Sequence, residues 1–118
     1  DRKAWSSAEI LAHLRACADL WTHSVYAMLA VDTPRLPDLD ERKWARAARY
    51  AEVPFGDSLH AFRLQRESLL RVLRALPPDA WERAALILDR KHTVFTQARR
   101  MAKHDAEHCG QIEELLKP

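Results

Sequence analysis

Apolar residues recur at every third or fourth position along most of the chain, which is the spacing of one face of an α-helix. The first such stretch follows the sequence Ser6-Ser7-Ala8-Glu9, which has the form of a capping box. Its apolar positions are Ile10, Leu14, Cys17, Trp21, Val25 and Met28. Thr33-Pro34 and Leu36-Pro37 then end it, because proline cannot continue a helix. The pattern predicts a first helix over about residues 7–30 and a linker after it.

Two further segments follow the linker. Asp40 can cap a short segment rich in Ala and Arg, which we expect to be helical to about Tyr50. A second long helix is predicted to begin at a cap formed by Asp57 or Ser58, and Pro77-Pro78 ends it. Its apolar face consists of Leu59, Phe62, Leu69, Leu73 and Leu76.

The stretch over residues 81–91 is too short for periodicity to distinguish a helix from an extended segment, so its structure is left open. Thr93 then caps the last helix, predicted to run to about Lys117. Its inward stripe is predicted to be Val94, Ala98, Met101, His108, Ile112 and Leu115. The whole pattern predicts an all-α chain, and the connection between the first two long helices is long enough to let them run parallel.

Composition narrows the class of protein. The chain has 118 residues, of which 47% are hydrophobic, so we expect a single domain over residues 1–118. The formal net charge is +2 and the arginines are scattered, which does not favour nucleic acid as a partner. No apolar run has the length of a membrane span and no leader pattern appears, so we expect a cytoplasmic protein with no membrane partner. Cys17 and Cys109 are too few for a disulfide framework.

The last predicted helix contains polar residues near its apolar face. His104 and His108 are four positions apart, so both imidazoles can point at one ion. His13 lies about two turns after the start of the first helix, and His108 about two turns before the end of the last. If the two helices pack antiparallel, His13 and His108 lie at the same level of the bundle. Three neutral histidines leave a coordination position for water or substrate, and Asp105 could orient one of them. Zn, Ni, Fe(II), Mn and Co all accept imidazole, so the residues do not select the metal.

Other polar residues leave alternatives open. Arg66 shares the apolar face of the second long helix, where it could pair with Asp105 or bind an anionic substrate beside the metal. Cys17 and Cys109 are expected to be structural, with metal ligation or redox pairing as the alternative, and a thiolate ligand would favour zinc. The other histidines, at positions 23, 60 and 92, have no partner at ligand spacing and are expected on the surface or in loops.

Two segments resemble the DinB-like superfamily of four-helix bundles, whose members are described as metal-dependent enzymes. "WSSAEILAHL", residues 5–14, resembles the Trp-led start of the family's second helix, and "MAKHDAEHCGQIEELL", residues 101–116, resembles its final helix. The resemblance implies an up-down-down-up bundle with His13, His104 and His108 as metal ligands. It also implies that the family's first helix is missing before Trp5, so that either the chain is N-terminally incomplete or another subunit covers the exposed groove. It further implies a homodimer.

The resemblance implies an enzyme in which the metal activates a low-molecular-weight thiol or water, as in a thiol transferase or a hydrolase acting on a small molecule. One alternative is a non-catalytic binding or stress-response module that retains the metal site. Another is a helical interaction domain without metal, in which the three histidines coincide by accident.

Overall fold

The computed structural model describes residues 5–117 and is dominated by helices. Three of the helices are long: α1 spans Ser7–Ala30, α3 spans Phe55–Arg74 and α4 spans Val94–Leu116, while the short α2 spans Glu41–Ala47. Three short strands, β1 (Arg35–Leu36), β2 (Ala84–Ile87) and β3 (Arg90–Thr93), and 3-10 turns at Tyr50–Glu52 and Pro78–Glu82 complete the elements. The four helices form the predicted all-α bundle.

The helix boundaries follow local capping chemistry. Ser6 and Glu9 form the predicted capping box of α1, and Thr93 caps α4 through the backbone N–H of Thr96. Asp40 caps α2 by accepting from two backbone N–H groups, as predicted. The helix ends at Ala47, short of the predicted Tyr50, which instead begins a separate 3-10 turn. The sequence therefore located the caps of three of the four helices.

The predicted start of α3 is wrong. The helix begins at Phe55, before both Asp57 and Ser58, and Pro54 is its N-cap without a side-chain hydrogen bond. Pro54 carries no backbone N–H to satisfy, and its carbonyl accepts the Ser58 N–H at 3.0 Å, so the first turn is already closed. Asp57 lies inside that turn, where its charge favours the helix N-terminus.

Helices α1 and α3 run parallel. The Arg15 guanidinium donates to the Ser58 hydroxyl at 2.9 Å. One turn further along α1 and two turns further along α3, the Gln65 amide donates to Asp19 at 2.9 Å. Residue numbers therefore increase in the same direction along both helices, which shows that the helices are parallel. The crossover that parallel packing requires is the segment carrying β1 and α2, which confirms that the long linker returns the chain to its starting end.

Helix α4 runs antiparallel to α1. Gln97, near the start of α4, donates to Ser24 near the end of α1 at 3.0 Å. His104, further along α4, lies 3.2 Å from His13 near the start of α1. The predicted inward face of α4 holds for Val94, Met101, His108 and Ile112, but Leu115 is 54% exposed.

The core is divided into two clusters along the bundle. The first surrounds the early turns of α1 and contains Ile10, Leu11, Leu14, Ala18, Phe62 and Ile112. The second surrounds its later turns and contains Val25, Met28, Leu69, Ala85, Val94 and Met101. The three histidines lie on the α1–α4 interface near the level where one cluster gives way to the other.

A small sheet covers the later part of α1 and is the main element that the sequence did not predict. β1 pairs with β2 in parallel, and β2 pairs with β3 as an antiparallel hairpin. The two turn residues, Leu88 and Asp89, have φ values of 51° and 59°, in the left-handed region that usually selects Gly or Asn. Without that turn signal, strands of four residues resemble a short helix. No described helix combines the length and apolar character needed to cross a membrane.

Candidate metal centre

Three histidines converge between α1 and α4. His13 is 7% exposed and His108 is 4% exposed, while His104 is half-buried. One ring nitrogen from each lies within 4.8 Å of the other two. His13 Nε2 and His104 Nε2 are 3.2 Å apart, close to the separation of about 3.3 Å for two nitrogens bound at about 2.0–2.1 Å to one tetrahedral ion. The spacing fits a single metal ion.

The local fold explains how these side chains meet. His104 and His108 are one turn apart on α4, so both project to the same side. His13 projects from α1 at the same level because the two helices are antiparallel. Burial of three imidazoles in an apolar interface is costly unless their nitrogens have partners. A shared ion would satisfy all three nitrogens at once.

Gln111 determines which nitrogen of His108 is available. The Nδ1 of His108 lies 2.7 Å from the Gln111 side-chain oxygen, one turn later on α4. An amide oxygen only accepts, so Nδ1 carries the proton and donates it. The lone pair of the neutral ring is then on Nε2, the nitrogen left for a metal ion.

Asp105 occupies the equivalent position behind His104. Its Oδ1 lies 3.7 Å from His104 Nδ1, slightly beyond hydrogen-bond distance. Both atoms are buried, and neither has a hydrogen-bond partner within residues 5–117. A small rotation of the His104 ring would form a hydrogen bond in which Nδ1 donates to Asp105 Oδ1. His104 Nε2 would then keep its lone pair for an ion. Trp21 supports the ring from the other side by an edge-on contact with a centroid distance of 4.9 Å.

Arg66 pairs with Asp105. Its guanidinium donates to Asp105 Oδ2, and a second nitrogen lies 3.6 Å from the Met101 sulfur. Both side chains of the ion pair are largely buried, at 19% and 16% exposure. The pair corresponds to the first of the two interpretations of Arg66, while its contact with a substrate stays a prediction. Through Asp105, Arg66 fixes the carboxylate beside His104.

Cys17 lies beside the triad, one turn after His13. Its Sγ is 3.6 Å from His13 Nε2 and 3.9 Å from His104 Nε2. Burial raises the pKa of the thiol from 9.0 to about 12, with smaller contributions from the carboxylates of Glu41 and Asp105. Cys109 is also a free thiol, and burial is the largest cause of its raised pKa. Cys17 is therefore a neutral thiol at the rim of the centre unless a cation lies next to it.

Two cavities lie near the metal centre: one is lined by neighbours of the triad, and the other by a histidine of the triad. The first, termed the hairpin cavity, has a volume of about 500 Å³ and lies between α1, the β2–β3 hairpin and α4. It ends at Cys17 and Trp21, which contact the triad. The second, termed the α2 cavity, has a volume of about 540 Å³, lies between the start of α1 and α2, and is lined by His13. Both volumes are typical of small-molecule sites.

The structure thus brings His13, His104, His108 and Asp105 together, as the sequence-based hypothesis requires, and joins Arg66 to them. It adds Gln111, Trp21 and Gln97, which the sequence analysis did not single out. Gln111 could have been found from its position three residues after His108. His23 and His92 line the hairpin cavity, whereas His60 is exposed on α3 and lines neither cavity.

Comparison with known proteins agrees with this arrangement. In structure the chain is similar to YfiT from Bacillus subtilis, described as "a probable metal-dependent hydrolase with an unusual four-helix bundle topology", with a TM-score of 0.78 and 18% identity. The match covers 98% of this chain and 67% of that chain. A search of curated protein sequences finds no match. The sequence pattern of the DinB superfamily matches residues 1–112. The chain belongs to the DinB superfamily.

Proposed function

We propose that this protein is a metal-dependent enzyme that binds one divalent ion through His13, His104 and His108. The observation that carries the proposal is the convergence of two buried imidazoles and a half-buried one at ligand spacing beside two cavities. When bound, the ion would supply Lewis acidity and lower the pKa of water or of a thiol so that either can act as a nucleophile. Three protein ligands leave a position open, which is typical of catalytic sites.

The chain's own residues would keep this centre in order. Gln111 holds the proton on His108 Nδ1, and Asp105 can do the same for His104. Arg66 holds Asp105 in place through the buried ion pair. Such partners fix the ring orientation and increase the basicity of the ligand nitrogen.

Glu41 is a candidate for moving a proton during the reaction. It is half-buried in the first turn of α2 and lines the hairpin cavity next to Cys17. It makes no hydrogen bond or ion pair with any described residue, so its carboxylate is available to take a proton from a nucleophile.

The nucleophile in this proposal is water or a low-molecular-weight thiol, which corresponds to a hydrolase or a thiol transferase. The relative's description as a metal-dependent hydrolase supports water as the first choice. The substrate is a small molecule, because cavities of this volume enclose ligands of that size. We also propose that the protein is cytoplasmic and forms a homodimer. Light scattering on the purified protein would test the dimer by giving twice the mass of one chain.

Metal analysis tests the proposal first. We expect about one divalent ion per chain, and a sharp loss of metal in His13→Ala and in His104→Ala. His60→Ala is the matched control, because His60 is exposed on α3 and lies outside the triad. Circular dichroism would establish that each variant is folded. Full metal content in a folded His13→Ala protein would refute the triad.

Activity is tested on protein with measured metal content. Ester and amide substrates would be offered in water alone, and electrophiles would be offered with and without cysteine as the thiol. Turnover that needs metal but no thiol would identify a hydrolase, and turnover that needs both would identify a thiol transferase. If no metal-dependent turnover occurs on fully metallated protein, the non-catalytic alternative replaces this proposal.

A further inference from the structure

The hairpin cavity contains a fixed hydrogen-bond acceptor with no partner. Gln97 is 2% exposed and lines this cavity. The Ser24 hydroxyl donates to the Trp21 carbonyl at 2.6 Å, which leaves its oxygen to accept from Gln97 Nε2 at 3.0 Å. The amide orientation is thereby determined. Gln97 Oε1 is buried and has no hydrogen-bond partner among the described residues. A ligand with an N–H or O–H group would supply the missing donor.

The same cavity has cationic groups without anionic partners. Arg90 and Arg100 line it, and neither forms an ion pair with a described residue. The guanidinium of Arg100 lies 6.0 Å from the Trp21 ring, towards the metal centre. His92, on β3, also lines the cavity, and burial followed by the charges of Arg100 and Arg90 lowers its pKa.

Two carboxylates, those of Asp38 and Glu41, also line the hairpin cavity. Arg100 and Arg90 lower the pKa of His92 more than Asp38 raises it. The arginines therefore lie close enough to His92 to act on the same part of the cavity. The negative groups belong to the segment that leads into α2, whereas the positive groups belong to β3 and α4.

The α2 cavity lacks this combination. It too contains arginines: Arg49 is paired with Glu52 at 2.7 Å and Arg42 is stacked over Trp5 at 5.4 Å, while Arg46 forms no ion pair with a described residue. The two cavities therefore differ in the unpartnered acceptor and not in the presence of an unpaired arginine. Outside the triad, no described residue that lines the α2 cavity has a buried acceptor comparable to Gln97 Oε1. The hairpin cavity is the better candidate for recognition of a polar ligand.

We propose that the hairpin cavity binds a small carboxylate whose body carries an N–H or O–H donor, with the carboxylate at Arg90 and Arg100 and the donor at Gln97 Oε1. This rests on the proposed function in that the ligand would be the substrate, reaching from this cavity towards Cys17 and the metal centre. The apolar side chains of Leu36 and Ile87 also line the cavity, so we expect the ligand to have an apolar part between its carboxylate and its donor group. The proposed substrate is therefore a small carboxylic acid that has an apolar part and carries a hydroxyl or N–H group.

Three probes of similar size separate these requirements. 4-Hydroxyphenylacetate has both the carboxylate and a donor, phenylacetate lacks the donor, and tyramine keeps the donor but replaces the carboxylate with an ammonium group. Isothermal titration calorimetry would be carried out on zinc-loaded protein with measured metal content. We expect 4-hydroxyphenylacetate to bind most tightly, phenylacetate less tightly and tyramine least. Tighter binding of tyramine than of either carboxylate would overturn the proposal.

Variants locate the binding. Arg100→Gln should weaken 4-hydroxyphenylacetate binding about tenfold, because a charge-assisted contact is lost. Gln97→Met should remove the advantage of 4-hydroxyphenylacetate over phenylacetate. Arg99→Gln is the charge control, since Arg99 is the neighbouring residue on α4 but lies over Phe95, outside the cavity. Arg46→Gln is the control for the α2 cavity. A loss in Arg46→Gln with no loss in Arg100→Gln would place the ligand elsewhere and refute the proposal.

Metal-free protein distinguishes this proposal from the proposed function. Because Arg100 and Gln97 belong to the chain, 4-hydroxyphenylacetate should still bind after zinc is removed. Binding that requires zinc and ignores Arg100→Gln would identify the carboxylate as a metal ligand, which overturns the cavity proposal and leaves the metal proposal intact. Arg100-dependent binding by a protein that takes up no metal would support the cavity proposal and refute the proposed function.

Discussion

His104 presents two ring nitrogens to different surroundings. Nε2 faces His13, while Nδ1 faces the Asp105 carboxylate at 3.7 Å. A neutral imidazole carries one proton, so its placement on Nδ1 is what frees Nε2 for an ion. The carboxylate favours this placement electrostatically. The identity of residue 105 therefore affects metal affinity without direct coordination.

Asp105→Asn should lower zinc affinity about 10- to 100-fold, because the carboxylate that orients His104 and holds Arg66 is lost. Competition with a chromophoric chelator would measure the change. Glu107→Gln is the control, because Glu107 is an exposed carboxylate on the same helix. Equal affinities for the two variants would show that Asp105 has no role at the centre.

Cys17 should be unreactive in the metal-free protein. The rise in its pKa from 9.0 to about 12 lowers the thiolate fraction at neutral pH about a thousandfold relative to the ordinary thiol, and only the thiolate attacks disulfide reagents. In Cys109→Ser, labelling with Ellman's reagent should therefore wait for unfolding. Cys17→Ser, which keeps the less buried Cys109, should label faster. Rapid labelling of native Cys109→Ser would contradict the burial of Cys17.

At the scale of elements, Asp19 fixes α2 over the bundle. Its carboxylate accepts from Trp44 Nε1 at 3.0 Å, from Gln65 Nε2 at 2.9 Å and from the Tyr50 hydroxyl. These donors come from α2, from α3 and from the 3-10 turn, so one carboxylate joins three segments to α1. Burial and the bond to Asp19 raise the pKa of Tyr50 to about 12.

Asp19→Ala should lower the free energy of unfolding by about 1–3 kcal/mol, because donors near the core lose an ionised acceptor. Urea denaturation would measure it, with the exposed Asp32→Ala as control. In the native protein the Tyr50 phenol should remain protonated well above its ordinary range, so its contribution to stability is present below pH about 10 and is lost as pH rises towards 12. Ionisation of Tyr50 in the ordinary range would argue against this network.

The sequence predicted the long helices better than the short strands. The bounds of α1 and α4 followed from a capping box before α1, from Thr93 as the cap of α4, and from uninterrupted apolar spacing over many turns. The stretch that forms the hairpin was left open between a short helix and an extended segment, because Leu88 and Asp89 give no turn signal although both have positive φ. The triad could be predicted because the direction of α4 relative to α1 determines which histidines share a level. The role of Gln97 could not be predicted from the sequence, because it depends on the hydrogen bond to Ser24 and on a cavity formed partly by the unpredicted sheet.

At the scale of the whole molecule, metal binding should be linked to folding. An ion that binds the native centre and not the unfolded chain stabilises the fold by about 2.7 kcal/mol at a hundred times its dissociation constant. Imidazole must be neutral to bind, so this stabilisation should be present at pH about 8 and fade below about 6.5. Melting temperatures with zinc and with chelator, measured across that range, should converge at low pH. A zinc-dependent increase that persists in acid would exclude imidazole ligands.

His13 and His104 are 91 positions apart in the chain. An ion held by both would close a loop that contains α2, α3 and the sheet, much as a covalent crosslink does. For a covalent bridge, the chain-entropy argument assigns about 4.7 kcal/mol to a loop of about 100 residues, because the unfolded chain loses conformations. A coordination bond can exchange, so the tether lasts only while the ion stays bound. Loss of the ion would therefore lower the stability of the fold by removing one long-range connection, while the core contacts and the Gln97–Ser24 hydrogen bond still hold α4 against α1.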